Sequence, residues 1–398
     1  MATSTDEDLR ARAARLTIAH DGETWILGRP ELGVFVAVPE PGAVFVTTLQ
    51  DTGSLEQAMA RAGDVAGEPV DGADFLEGLT AAGLLDPPGE APDTRGRVKW
   101  IEGVSPRTAA RLFGRVAWSC YGAAAVLAVG LLLFRPDLRP SWEDAWFLPS
   151  PGLSLLIWLL LAMACGALHE AWHWLAGRAI GVPAAFRVSY RGLYVVYETD
   201  LTQIVTVPRD RRHGVYLAGM AIDVVVLAAA LGARLLGVGG VLGDLLAAVS
   251  LLLVVNLVWQ WAALPLRSDA YALLANALRC HNLYRATWLM AKSRLFRLTA
   301  PEAAELSGTS ERDQSVARWF VIPYVAGIAV MVWMFATIVL PLAVSLGEWG
   351  LAQLTSGTVT SAGFLEALAV AVYLAVQLCL PPALALRERR LRRSGRLL

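Results

Sequence analysis

From about position 116 onward the chain alternates long apolar runs with short polar stretches that carry arginine. Six runs are long enough for a helix to cross a hydrocarbon core of about 30 Å: 116–134, 153–180, 215–236, 241–264, 320–346 and 364–386. Pro341 and Pro381 fall near the ends of the last two, where interrupting a helix costs least. Residues 16–86 follow a different pattern. Val34-Phe35-Val36-Ala37-Val38 and Val44-Phe45-Val46-Thr47-Thr48 are β-rich, with Pro39-Glu40-Pro41-Gly42 as the turn between them, and Trp25-Ile26-Leu27 supplies another strand. Ser54, with Gln57 at the capping-box position, predicts a helix over 55–62. Asp71 or Asp74 opens a second over 75–82, which stops at Gly83 before Leu84-Leu85. Between 187 and 208 apolar and polar residues mix without the length of a span. There Tyr194-Val195-Val196-Tyr197 predicts strand, in a β loop beside the membrane core or an ordinary interfacial loop.

Composition sharpens this picture. Of 398 residues, 56% are hydrophobic and only 17% charged, against about a quarter charged in soluble domains. The expectation is a polytopic α-helical membrane protein with a small α+β part. Its parts are a flexible N-terminus (1–15) lacking the apolar core of a secretory signal, a soluble domain (16–86), a Pro-rich linker (87–115), a membrane domain (116–386) and a basic tail (387–398). A formal net charge of −1 points away from nucleic acid as a partner. Cys120, Cys165, Cys280 and Cys379 are scattered, which suggests neither a disulfide framework nor a thiolate metal site. Lys and Arg cluster before the first run, between the second and third, from Arg267 to Arg318, and after the sixth. In a six-span arrangement all of these lie on one side, so the expected location is the cell membrane with both termini cytoplasmic.

One stretch carries chemistry. His169-Glu170-Ala171-Trp172-His173 is an H-E-x-x-H sequence inside the second apolar run. Histidines four residues apart share one helical face, so both imidazoles reach one metal ion, and Glu170 is placed to take a proton from a metal-activated water. Ionisable residues at membrane depth are costly, which favours a functional site over two histidines hydrogen-bonded within a bundle. A catalytic zinc site usually has three protein ligands. Asp269, at the end of the fourth run and on the same expected side as His169 and His173, is the candidate third ligand; pairing with Arg267 is its alternative role. His20, His213 and His281 are the other histidines, and Asp223 is an acid in the third run assigned a structural role. No role is assigned to Asp200, and no substrate-binding residue is identified.

The run from Leu168-His169-Glu170-Ala171-Trp172-His173 to Ala176-Gly177-Arg178-Ala179-Ile180-Gly181-Val182-Pro183 resembles the site-2-protease family of intramembrane zinc metalloproteases. Pro265-Leu266-Arg267-Ser268-Asp269 resembles the context of that family's Asp ligand, and Leu217-Ala218-Gly219 echoes its Ala-Gly-Pro helix start. Ala270 stands where the family usually has Gly and Met220 where it usually has Pro, and Asn256 lies too far before Pro265 to match its Asn-x-x-Pro element. The stretch from Leu266 through Tyr271 towards Leu283 resembles the branch found with lantibiotic- and daptide-like modified peptides. Residues 16–86 resemble the PqqD-like winged-helix domain, which binds leader peptides by strand addition; a generic cap domain is the alternative. The resemblances imply a zinc metalloendopeptidase with His169, His173 and Asp269 as metal ligands and Glu170 as general base. Its substrate would be a peptide or membrane protein, with leader-peptide removal from a ribosomally made, modified peptide as the expected activity. Peptide-modifying enzymes of the same pathway are possible partners. The alternatives are regulated cleavage of a membrane-bound regulator such as an anti-sigma factor, and a non-proteolytic peptide-export or binding protein.

Overall fold

The computed structural model describes residues 2–22, 24–30, 32–85, 104–182, 184–191, 194–356 and 358–393. The chain divides into two compact units: Met1–Glu102 with Ile180–Ala185 and Asp200–Arg212, and Gly103–Ala179 with Phe186–Thr199 and His213–Leu398.

The first unit opens with α1 (Ala2–Ala13), β1 (Thr17–Asp21), β2 (Thr24–Arg29), β3 (Val34–Val38), α2 (Glu40–Thr52), α3 (Leu55–Ala66) and α4 (Gly72–Ala81). Its strands form an antiparallel sheet in the order β1-β2-β3, with Ile26 opposite Ala19 and Ala37. Ser54 caps α3 by accepting from the Gln57 N–H, and Asp71 caps α4 by accepting from Ala73 and Asp74. One expectation is corrected. Val44-Phe45-Val46-Thr47-Thr48 is helix, not strand. Glu40-Pro41 at the first two helical positions starts α2, Ala43, Val46 and Leu49 recur at helical spacing into the core, and Gly53 closes the helix at φ 74°. α1 occupies most of the first fifteen residues; Ala13 and Leu16 are buried, and the Gln50 amide donates to both of their carbonyls.

Asp21, at the end of β1, is buried, and its carboxylate takes a two-pronged bond from Arg209 (2.8 and 2.9 Å) and another from Arg212 (2.9 Å). Arg212 also donates to the Val205 and Val207 carbonyls. The segment 200–212 is thereby held to the β1–β2 turn by charge-assisted bonds.

The second unit contains α5 (Pro106–Leu112), α6 (Arg115–Phe134), α7 (Pro151–Ala179), β4 (Ala185–Arg191), β5 (Tyr194–Asp200), α8 (Arg209–Leu235), α9 (Gly240–Ala262), α10 (Asp269–Ala277), α11 (Leu283–Leu295), α12 (Ala300–Ser307), α13 (Glu311–Met334), α14 (Leu340–Ser356) and α15 (Ala362–Arg393). β4 and β5 pair as a two-stranded sheet; by sequence position Ala185 and Asp200, at their ends, and residues 209–212, the start of α8, fall in the first unit. Among the described residues, five helical segments are long and apolar enough to cross a membrane: Pro106–Phe134, Pro151–Ala179, Arg209–Leu235, Gly240–Ala262 and Glu311–Thr355. The expected sixth span falls in α15 (Ala362–Arg393), of which Ala362–Val376 is the apolar helix identified among the described residues. The Pro-rich start of the linker lies outside the described residues, whereas its end is helical as α5. The tail is helical to Arg393.

The fifth segment runs on to Thr355 through a π turn at Phe335–Val339. Pro341 has no N–H to give and its ring crowds the Thr337 carbonyl four residues back, so the helix widens there rather than stopping. α8 is the central helix: 61% of its apolar window is buried, against 33% for α9 and 17% for α7. Val215, Ala218 and Leu231 are among its most enclosed residues, and small side chains let neighbouring backbones approach.

Removing the acid at position 21 would leave Arg212 buried without its anion. Asp21→Ala should therefore cost about 3–5 kcal/mol and lower the unfolding temperature in detergent, while Asp21→Asn, which keeps an acceptor, should fall less.

Candidate metal centre

The site is assembled from three helices of the second unit. Ser150 starts α7 by accepting from the Leu153 N–H, and Gly181, at φ 81°, follows its end. Between these limits His169 and His173 lie one turn apart, both buried. α9 ends in a 3-10 turn over Leu264–Leu266, and Arg267 takes a left-handed conformation (φ 58°, ψ 51°). Ser268 then caps α10, which makes Asp269 the first residue of that helix. This reversal brings Asp269 against the two histidines. His169 Nε2 lies 3.0 Å from Asp269 Oδ2, His173 Nε2 lies 3.2 Å from the same oxygen, and the two Nε2 atoms are 3.2 Å apart.

The opposite ring nitrogens decide what these atoms can do. His173 Nδ1 is 2.8 Å from the Val215 carbonyl oxygen, which can only accept, so Nδ1 carries the proton. His169 Nδ1 faces the Asp223 carboxylate at 2.7 Å and donates likewise. In its neutral form each imidazole therefore presents an Nε2 lone pair, and two such lone pairs would meet a carboxylate oxygen. A single extra proton can bridge one of these contacts but not all three. A metal cation satisfies them together: tetrahedral bonds of about 2.0–2.1 Å place neighbouring ligand atoms about 3.3 Å apart, close to the three separations here. The donor set of two imidazoles and one carboxylate suits zinc. Among the described residues it is the group of three or more His, Cys, Asp or Glu side chains able to hold a metal.

Close packing adds to the fit. A Cβ built on Gly219 of α8 would overlap the His169 imidazole, so only glycine lets α8 pass the ring at this distance. Glu170, one residue round from His169, is half-buried. Its Oε2 accepts the Thr199 backbone N–H at 2.7 Å, and the Thr199 hydroxyl donates to the Glu170 carbonyl at 3.0 Å. Strand β5 therefore ends against the acid, and Asp200 follows one residue beyond.

The four expected site residues thus occupy one region: His169, His173 and Asp269 converge, and Glu170 lies beside them on α7. Asp223 serves His169 and also accepts from Asn256 Nδ2 at 2.9 Å. The sequence reading did not assign Thr199, Val215, Gly219, Asn256 or Gln260 to the site. Asn256 and Gln260 left a signal, two amides one turn apart in the apolar second half of α9. Val215 left none, because it acts through its backbone.

Gly219→Ala would push a methyl into the His169 ring. It should abolish high-affinity zinc binding in an equilibrium dialysis assay, whereas Gly232→Ala, on the same helix where an added methyl meets open space, should bind as the parent does. Comparison of the chain with protein-family models, curated proteins and solved structures finds no match to any of them.

Proposed function

We propose that this chain is a zinc-dependent endopeptidase that works within the membrane and removes the leader from a ribosomally made, modified peptide. The observation that carries the reading is the convergence of two Nε2 lone pairs and a carboxylate oxygen within 3.2 Å, with a glutamate next in sequence to the first histidine. His169 and His173 through Nε2, and Asp269 through Oδ2, would hold the metal. Zinc would supply Lewis acidity towards a carbonyl and make a water acidic enough to lose its proton near neutral pH.

The protein's own groups supply the rest. Glu170 is the general base: its carboxylate takes the proton of the attacking water and returns it to the leaving amine. The Thr199 N–H holds one oxygen of that carboxylate, which fixes the direction in which the other can act. His169 and His173 are each 5% exposed, which keeps bulk water from competing, while the Asp269 side chain is 27% exposed and marks the open approach. A helical substrate has its carbonyls tied up in i→i−4 bonds, so the scissile segment must arrive extended. A two-stranded sheet ending at Glu170 is suited to receive an extended chain by strand addition. The leader-peptide assignment draws on the small three-stranded sheet of the first unit, whose outer strands β1 and β3 have the form a leader would extend.

Detergent-purified protein should hold about one zinc per chain, and His169→Ala and Asp269→Ala should each lose it. Glu170→Gln should retain the metal and lose at least about 100-fold in turnover of a precursor peptide; retention of wild-type turnover would remove Glu170 from the mechanism. Both termini are proposed to be cytoplasmic, which requires α15 to cross the bilayer. A reporter enzyme active only outside the cytoplasm should be silent when fused after residue 398; activity there would overturn the cytoplasmic placement of the C-terminus.

A further inference from the structure

We infer that Asn256 and Gln260 of α9 are positioning residues for the metal centre, holding His169 and Asp269 in register although the two ligands arrive on different helices. The inference rests on the zinc reading above. The two amides are four residues apart and therefore lie on one face of α9. In an apolar helix of this length, side-chain amides are costly unless each finds a partner.

Asn256 donates to Asp223 Oδ2 at 2.9 Å, the oxygen that takes the His169 Nδ1–H at 2.7 Å. With Asp223 only 3% exposed, these two donors hold its carboxylate in one orientation. That orientation in turn fixes the plane of the His169 ring and its tautomer, so that Nε2 is the lone-pair nitrogen. Gln260 acts on the other ligand. Asp269 is the first residue of α10, so its N–H has no partner within its own helix. Gln260 Oε1 accepts that N–H at 3.1 Å, and the Gln260 carbonyl accepts the Ser268 hydroxyl at 2.6 Å. One residue thereby secures both the cap and the first position of α10. His173 provides an internal contrast: the Val215 backbone carbonyl sets its tautomer, a contact that no side-chain substitution removes.

The test uses the full-length protein in detergent, with zinc affinity measured by chelator competition and the absorption spectrum of the cobalt-substituted protein as a second readout. Asn256→Leu and Gln260→Met are close in volume to the native side chains, so packing is largely retained. Each should weaken zinc binding by about tenfold to a hundredfold and should alter the cobalt absorption bands while the thermal transition persists. The double variant should bind more weakly than either single variant, with coupled losses, since His169 and Asp269 meet at 3.0 Å around one ion. Gln260→Glu keeps the Oε1 acceptor and should recover most of the affinity that Gln260→Met loses; a glutamate variant as weak as the methionine one would overturn the role given to Gln260. Wild-type protein that binds no zinc would overturn the zinc reading itself. Wild-type protein that binds zinc, beside Asn256→Leu and Gln260→Met with unchanged affinity and unchanged cobalt spectra, would overturn the positioning inference alone.

Discussion

Two imidazole lone pairs and a carboxylate oxygen within about 3 Å of one another repel unless a positive charge lies among them. Much of the second unit can be understood as the apparatus that holds them there. α8, the central helix, contributes at three successive points: the Val215 carbonyl takes the His173 proton, Gly219 makes room for the His169 ring, and Asp223 takes the His169 proton. Each contact needs the helix at a short distance from α7, which explains why this stretch is built from Ala and Gly as well as larger apolar residues. α9 and the turn after it supply the carboxylate. The left-handed Arg267 and the Ser268 cap redirect the chain so that Asp269 faces back towards α7.

The acid beside the histidines is governed by a different constraint. Glu170 is tied to Thr199 through both its carboxylate and its backbone carbonyl. A strand end is thus joined to the acid next in sequence to His169. The first unit, by contrast, depends on an electrostatic joint of its own. Asp21 is buried with two arginines, and such a group is tolerated only while its partners stay in place. Residues 200–212, which follow the hairpin directly, are secured there.

Local errors in reading the sequence had local causes. Val44-Phe45-Val46-Thr47-Thr48 has the β-branched content of a strand, but Glu40-Pro41 before it and Gly53 after it are helix boundaries, and the apolar residues follow a helical period. The fifth span, read as 320–346, runs on to Thr355, with a single π turn accommodating Pro341.

The sequence by itself determined the membrane character, the H-E-x-x-H pair on one helical face, and an acid of the right kind at the end of the fourth apolar run, because hydrophobic length and the 3.6-residue period are local properties of the chain. Only the tertiary structure decided which nitrogen of each imidazole faces the ligand cluster, since that depends on acceptors 42 and 54 residues away, the Val215 carbonyl and Asp223. It also decided that Thr199 meets Glu170, that Gly219 meets His169, and that Asn256 and Gln260 stand behind two different ligands. These are contacts between distant parts of the chain, several made by backbone atoms that every residue carries, and no spacing along one helix encodes them.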